Sequence, residues 1–368
     1  MKFTIKWFKL MAVSLPLASL PTVALAQHYQ QTNLVSDVMG LAAHQDPNLV
    51  NPWGLSRSSG SPWWVSDNGA GKTTLYDGTG ASIPINGTGF VNIPPPKGSS
   101  GQATPTGTVF NGSPTDFLLP NGKAALFLFA TEDGTISGWN GGTDAVLVVD
   151  NSDNGSAHGA VYKGLTSGDI RGHRFLYVSN FRSGRVEVYD SAFHRVRLGE
   201  DAFDDDAIPH GFAPFNVQNV GRTIFVTYAK QDAARHDDVA GAGLGFVDIF
   251  STSGRLISRL QHGWWMNSPW GVVWTPRDFG EYSNAILVGN FGSGQIAAFN
   301  GFTGKFIALV KNPDDSVMTI DGLWALAFGN NARAGSSTTL FFTAGIQDEM
   351  HGLFGTITPV DGLDGDEE

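Results

Sequence analysis

Six similar β-hairpins along one chain, 47 glycines among 368 residues and the absence of any cysteine predict an all-β fold, a six-bladed β-propeller forming a single domain. Many glycines and few charged residues suit short strands joined by tight turns. With no cysteine, neither disulfides nor thiolate metal sites hold the chain together, so a large apolar core must.

The repeat is read from three segments that align without a gap: "WVSDNGAGKTTLYD", "YVSNFRSGRVEVYD" and "LVGNFGSGQIAAFN". In each, a polar residue (Asp67, Asn180, Asn290) ends a β-rich run, a glycine-containing turn follows, and an alternating strand closes at Asp77, Asp190 or Asn300. "FATEDGTISGWN" is the same hairpin with a shorter turn, "FVTYAKQD…GLGFVDIF" carries an insertion, and "LFFTAGIQDEMHGLFGTI" completes six. Upstream of each lies a further short strand, in "NPWGLS", "TPTGTVF", "GAVYKG", "APFNVQ", "SPWGVVW" and "DGLWALAF". Proline opens several of these because a first strand position needs no N–H. A unit of three or four strands recurring about every 55 residues cannot bury both faces alone, and radial stacking solves this. A β-sandwich, the other all-β solution, gives no reason for six similar modules.

Gly71-Lys72-Thr73 matches the end of a phosphate-binding loop, but the first glycine position is Ser66 and a strand follows where that loop needs a helix. Lys72 therefore reads as an ordinary hairpin residue.

The first 26 residues, with Lys2, Lys6, Lys9, an apolar run and Ala24-Leu25-Ala26, read as a secretory signal peptide. The organisation expected is a leader over 1–26, a propeller over 27–360 and an acidic tail over 361–368. Export to the periplasm or the extracellular space follows, with no membrane span after cleavage. Removing the three leader lysines leaves 20 basic against 34 acidic residues, taking the formal charge from −11 to −14. Such a surface repels nucleic acid and suits cations or neutral ligands.

These phrases, with "FATEDGTISGW", "APFNVQN", "HDDVAG", "NSPWG" and "IDGLWALAFGN", resemble a family of exported bacterial proteins, uncharacterised in function, expected to form NHL-like six-bladed propellers. The resemblance runs from about Asn33 to Thr356 and implies fold and export, with no catalytic residue to carry over. A more distant likeness, of architecture alone, is to calcium-dependent lactonase and phosphotriesterase propellers.

In an up-and-down blade the first strand starts and the second ends at the same rim. That rim gathers the ligand-binding candidates Asn51, Asp67, Glu132, Asn180, Asn216, Lys230, Asn290 and Asp321, with Asn68, Asp133 and Asn267 beside them. Two hairpins there are long, as functional loops on rigid scaffolds often are. "KQDAARHDDVAGAG" offers Asp232, His236, Asp237 and Asp238, and "IQDEMHG" offers Asp348, Glu349 and His351. Asp237, Asp238 and Asp348 are the metal-ligand candidates: oxygen donors suit Ca²⁺ or Mg²⁺, and histidine would admit Zn²⁺ or Mn²⁺. Glu349, His351 and His236 are the candidates for moving a proton.

Other features read as structure. Asp150–Val161 starts like a calcium loop but ends on Val161 where a glutamate is required. Trp53, Trp270 and Trp324 hold matching positions suited to packing between blades, and an exposed Trp264-Trp265 pair would stack on a sugar or aromatic ligand. Neither G-x-S-x-G nor H-E-x-x-H occurs. Three readings stand: a monomer binding a cation, small polar ligand or envelope protein at its funnel rim, a metal-dependent hydrolase or lactonase, and a structural or protein-interaction propeller.

Overall fold

The computed structural model describes residues 28–360; the leader and the acidic tail lie outside them. Alternating apolar strands between turn residues build six sheets, each ordered outward from the axis and antiparallel apart from the short strand His44–Gln45 at the outer edge of the sixth. The first blade is Pro52–Ser56, Trp63–Asp67, Lys72–Tyr76 and Phe90–Asn92; the next four repeat that plan, with inner strands Pro105–Phe110, Tyr162–Ile170, Phe212–Val220 and Pro269–Trp274. The sixth runs Leu323–Phe328, Leu340–Ala344, Leu353–Val360, then takes the chain's first strand, His28–Ser36, as its outer neighbour. Pairing from His28↔Val360 to Ser36↔Leu353 joins both ends of the domain in one sheet and removes an open edge. The sequence "TNLVSD" lies in this closing strand and the residue after it.

Each pair of neighbouring blades shares an apolar cluster, such as Trp64, Leu75, Phe127 and Phe129 between the first and second, or Leu287, Ala298, Leu326 and Phe342 between the fifth and sixth. A seventh cluster fills the axis with Trp53, Phe181, Phe215, Trp270 and Trp324. Trp53 and Trp324 stack with centroids 3.6 Å apart, and Trp270 meets both edge-on. The tryptophans thus pack between blades at the axis itself, as a plug. Glycine permits this closeness: a Cβ at Gly107 would sit 2.2 Å from Leu165 N of the next inner strand.

Gly71 has φ 65° and ends the turn before Lys72–Tyr76, so the phosphate-loop letters are a hairpin. Residues Asp153–Gly155 form a 3₁₀ turn joining the second blade to the third. Among the described residues no helix is long and apolar enough to cross a membrane.

Candidate functional site: the polar mouth above the aromatic plug

One hydrogen bond, repeated in all six blades, helps decide which side chains reach the axis. The residue after the second strand donates its N–H to the carbonyl of the residue before the first strand: Asn68 to Asn51, Glu132 to Thr104, Phe181 to Val161, Gln231 to Gly211, Phe291 to Ser268 and Gly345 to Gly322, at 2.8–3.0 Å. Phe181 and Phe291 join the plug, whereas Asn68 and Glu132 build a polar mouth over it. Strand alternation turns the preceding residue into its own blade.

The mouth is a continuous chain of hydrogen bonds from five blades. Asn51 Nδ2 donates to Glu349 Oε2 at 2.6 Å, Asn68 Nδ2 donates to Glu132 Oε2 at 2.7 Å, and Asn51 and Asn68 meet at 3.4 Å. The Lys163 ammonium donates to Glu132 and, at 3.1 Å, to Asp237 Oδ1, which His236 Nδ1 also contacts at 2.8 Å. Below, Trp324 Nε1 donates to Asn51 Oδ1 at 3.1 Å, Trp270 Nε1 to the Lys163 carbonyl at 3.0 Å, and the ammonium lies 5.1 Å from the Trp53 ring centre. Gly345 leaves the room required, since a Cβ there would fall 2.1 Å from Asn51 Oδ1.

Backbone strain accompanies this presentation. Gln347, Asp348 and Glu349 all have φ between 54° and 63°, a left-handed turn that non-glycine residues adopt at a cost of roughly 1–2 kcal/mol each. It carries Glu349 over the axis.

Charge is unevenly matched. Burial opposes a charged Lys163, yet Glu132 and Asp237 outweigh it and raise its pKa. The His236 contact holds Asp237 well below the usual carboxylate range, and Asp237 in turn raises His236. Glu349 and Asp238 make no direct contact with a cation and feel Lys163 only through space. Burial, with the Glu132 and Asp238 charges, outweighs the Asn51 hydrogen bond and the Lys163 charge and pushes Glu349 up to about 7. Burial also raises Asp238, opposed by the neighbouring Ser268 hydroxyl and the Lys163 charge; its Oδ2 and Ser268 Oγ are both enclosed and neither closes a hydrogen bond of ordinary geometry. Glu132, His236 and Asp237 present ligand atoms within 4.8 Å of one another, but the Lys163 ammonium already bridges two of the three. A cavity of about 260 Å³ adjoins, lined by Glu132, Asp133, Ser152, Arg182 and His236.

The rim residues read from the sequence divide. Asn51, Glu132, His236, Asp237 and Glu349 meet in the mouth; Asp238 is coupled to it by charge. Asp67, Asn180 and Asn290 do not point there. Asp67 is fully buried, accepts the Thr74 N–H at 2.9 Å, and burial raises its pKa well above the ordinary value. Asn180 donates to Glu187 at 2.9 Å, and Asn290 accepts the Asn267 N–H at 2.9 Å. These three fasten their own hairpins. Asn216 is buried in an inner strand, donating to the Trp270 carbonyl at 2.8 Å. Lys230 is exposed at the end of a strand that runs two residues further than its counterpart in the first blade, where Asp67 pairs with Pro52 as Tyr228 does with Pro214. Asp321 accepts the Gln347 N–H at 2.7 Å and Asp348 is exposed. His351 contacts Asp37 Oδ2 at 2.7 Å, so it ties the sixth blade to the segment after the closing strand. Trp265 stacks on Phe306 at 3.9 Å and Trp264 is largely exposed.

Lys163 is the residue that the rim argument missed. The aligned inner-strand position holds Trp53, Thr106, Phe215, Trp270 and Trp324 in the other blades, and one lysine among mostly aromatic residues was the available signal.

No family model matches the chain. It is 31% identical over 335 residues to uncharacterized protein R648 of Acanthamoeba polyphaga mimivirus, covering 88% of this chain and 78% of that protein. The chain belongs to the same family as that viral protein. Uncharacterized protein L690 of the same virus is 28% identical over 334 residues, covering 88% and 84%. These relatives are viral, and neither bacterial origin nor export follows from them. Among solved structures, the Penicillium chrysogenum alpha-L-arabinanase complexed with arabinobiose superposes with a TM-score of 0.52 at 12% identity, covering 89% of this chain and 97% of that one. At that identity the likeness is one of fold alone.

Proposed function

We propose that the protein binds a cation at the funnel mouth, against Glu349 and Asp238, with the Asn51–Asn68–Glu132–Lys163 chain as its rigid support. The observation carrying this is a pair of mostly buried, charge-coupled carboxyl groups without a direct cation contact, one pushed up to about 7 and one with an enclosed oxygen that closes no ordinary hydrogen bond. Burying charge without a counter-charge is unfavourable, and a bound cation would supply it. Oxygen donors favour Ca²⁺ or a similar hard cation. The Glu132–His236–Asp237 triad is the poorer host, since an incoming metal would displace or face the Lys163 ammonium. Export is part of this proposal and is supported by the leader-like first 26 residues.

A second reading, metal-dependent hydrolysis, draws on one observation: a Glu349 carboxyl poised near neutrality suits proton transfer beside a cation that polarises a substrate oxygen.

Calorimetric titration of the metal-stripped protein with CaCl₂ tests the first reading. Saturable heat that Glu349→Gln weakens by about tenfold or more is expected; no heat in the wild type overturns it. Turnover of lactone or aryl-ester substrates that needs the metal and Glu349 is what the second requires.

A further inference from the structure

The third blade leaves half a strand edge uncovered. Its outer strand is Arg195–Val196, and the ladder to the third strand, Arg185–Tyr189, has two rungs, Val188↔Val196 and Tyr189↔Arg195. Asp190 N–H bonds outward to His194, so strand alternation points the N–H and C=O of Val188 and Val186 outward too, while the Gly184 N–H closes the turn on the Phe181 carbonyl. Arg185 and Glu187 face the inner ladder, opposite Asn180 and Val178. No outer strand reaches Val186.

The other five blades cover this position. Ile296 O accepts from Val310 N and Val247 O from Leu260 N; Thr73 pairs with Val91, Ile136 with Val149 and Phe354 with Val35. In the third blade a groove of about 680 Å³ lies there instead, its walls the stretches 183–188 and 195–204. Val186, Val196 and Leu198 line it as half-buried apolar residues. Arg185, Arg195 and Arg197 are exposed along it, against the carboxylates Glu200 and Asp204. Glu187 is consumed by the Tyr162 and Tyr189 hydroxyls, Asn180 and Arg195. By count the three arginines balance Glu187, Glu200 and Asp204, but Arg195 is paired with the enclosed Glu187, which leaves Arg185 and Arg197 as the exposed guanidinium groups beside the uncovered edge.

We infer that this groove is a strand-addition site for an extended acidic segment of a partner protein, whose backbone pairs with Val186 and whose carboxylates meet Arg185 and Arg197. Main-chain pairing supplies affinity and the guanidinium groups supply the preference for acid. The site lies on the outer part of the third blade and is independent of the funnel mouth.

Fluorescence anisotropy with a dye-labelled hexapeptide of alternating glutamate and valine tests it on the whole protein. Saturable binding is expected, with none for the alternating lysine–valine peptide. Val186→Pro removes the outward N–H and leaves the inward ladder, and edge strands tolerate proline; it should weaken binding about tenfold. Arg185→Glu with Arg197→Glu should abolish binding while the thermal melt is unchanged. Hydrogen exchange on the wild type, which needs no variant to fold, should show peptide-dependent protection of the Val186 amide. Absence of saturable binding, equal binding of the lysine peptide, an unaffected Val186→Pro variant or no protection at Val186 each overturns the inference; the arginines would then only guard the edge.

Discussion

Asp67 and Asn68 are neighbours on one hairpin and do opposite things. Asp67 is sealed into its blade, bonded to the Thr74 N–H, while Asn68 reaches over the axis to Glu132 in the next blade. The same contrast separates Asn180 from Phe181 and Asn290 from Phe291. Reaching the rim is therefore not enough: one step of strand alternation decides whether a polar residue fastens a turn or joins the mouth.

The bluntest way to break this contrast is to open the ring, on which both sets depend. Deleting residues 28–36 strips the sixth blade of its outer strand, and calorimetry should show no cooperative unfolding above about 40 °C. Next in size, Lys163→Met strands Glu132 and Asp237 without their cation and should cost about 3–5 kcal/mol in denaturant unfolding; adding Glu132→Gln should restore part of it. Gly345→Ala places a methyl against Asn51 Oδ1 and should cost about 1–3 kcal/mol, with any cation affinity lost alongside. The smallest effect sharpens the comparison most. Asn180→Ala should lose about 1 kcal/mol of stability and leave cation binding intact, whereas Asn68→Ala should lose binding at a similar or smaller stability cost.

The six modules, their strands and the gathering of two long loops at one rim were legible because each rests on a local pattern: alternation, glycine turns and a gapless repeat. Glu132, His236, Asp237 and Glu349 could be named for that reason. Misplacing Asp67, Asn180 and Asn290 came from a half-step of register, which composition does not reveal. His351 stands two residues from Glu349, yet the left-handed turn at 347–349 sends it to Asp37. Lys163 was hidden because a lysine in a strand ordinarily faces water; only alignment with Trp53, Trp270 and Trp324 marks it as axial.

The mouth is short of positive charge, and the pH dependence of stability reads this directly. In the metal-free protein Glu349 holds its proton up to about 7 when folded and to about 4.5 when unfolded. Between these values the folded state binds more protons, so stability must fall as pH rises, by at most about 3 kcal/mol from this group. Glu349→Gln keeps an acceptor for Asn51 and removes the titration. Denaturant unfolding of both proteins at about pH 5 and about pH 8 should show the variant gaining on the wild type at the higher pH, a gain that CaCl₂ reverses by stabilising the wild type alone. Parallel pH profiles, with calcium acting equally on both or on neither, would contradict the account.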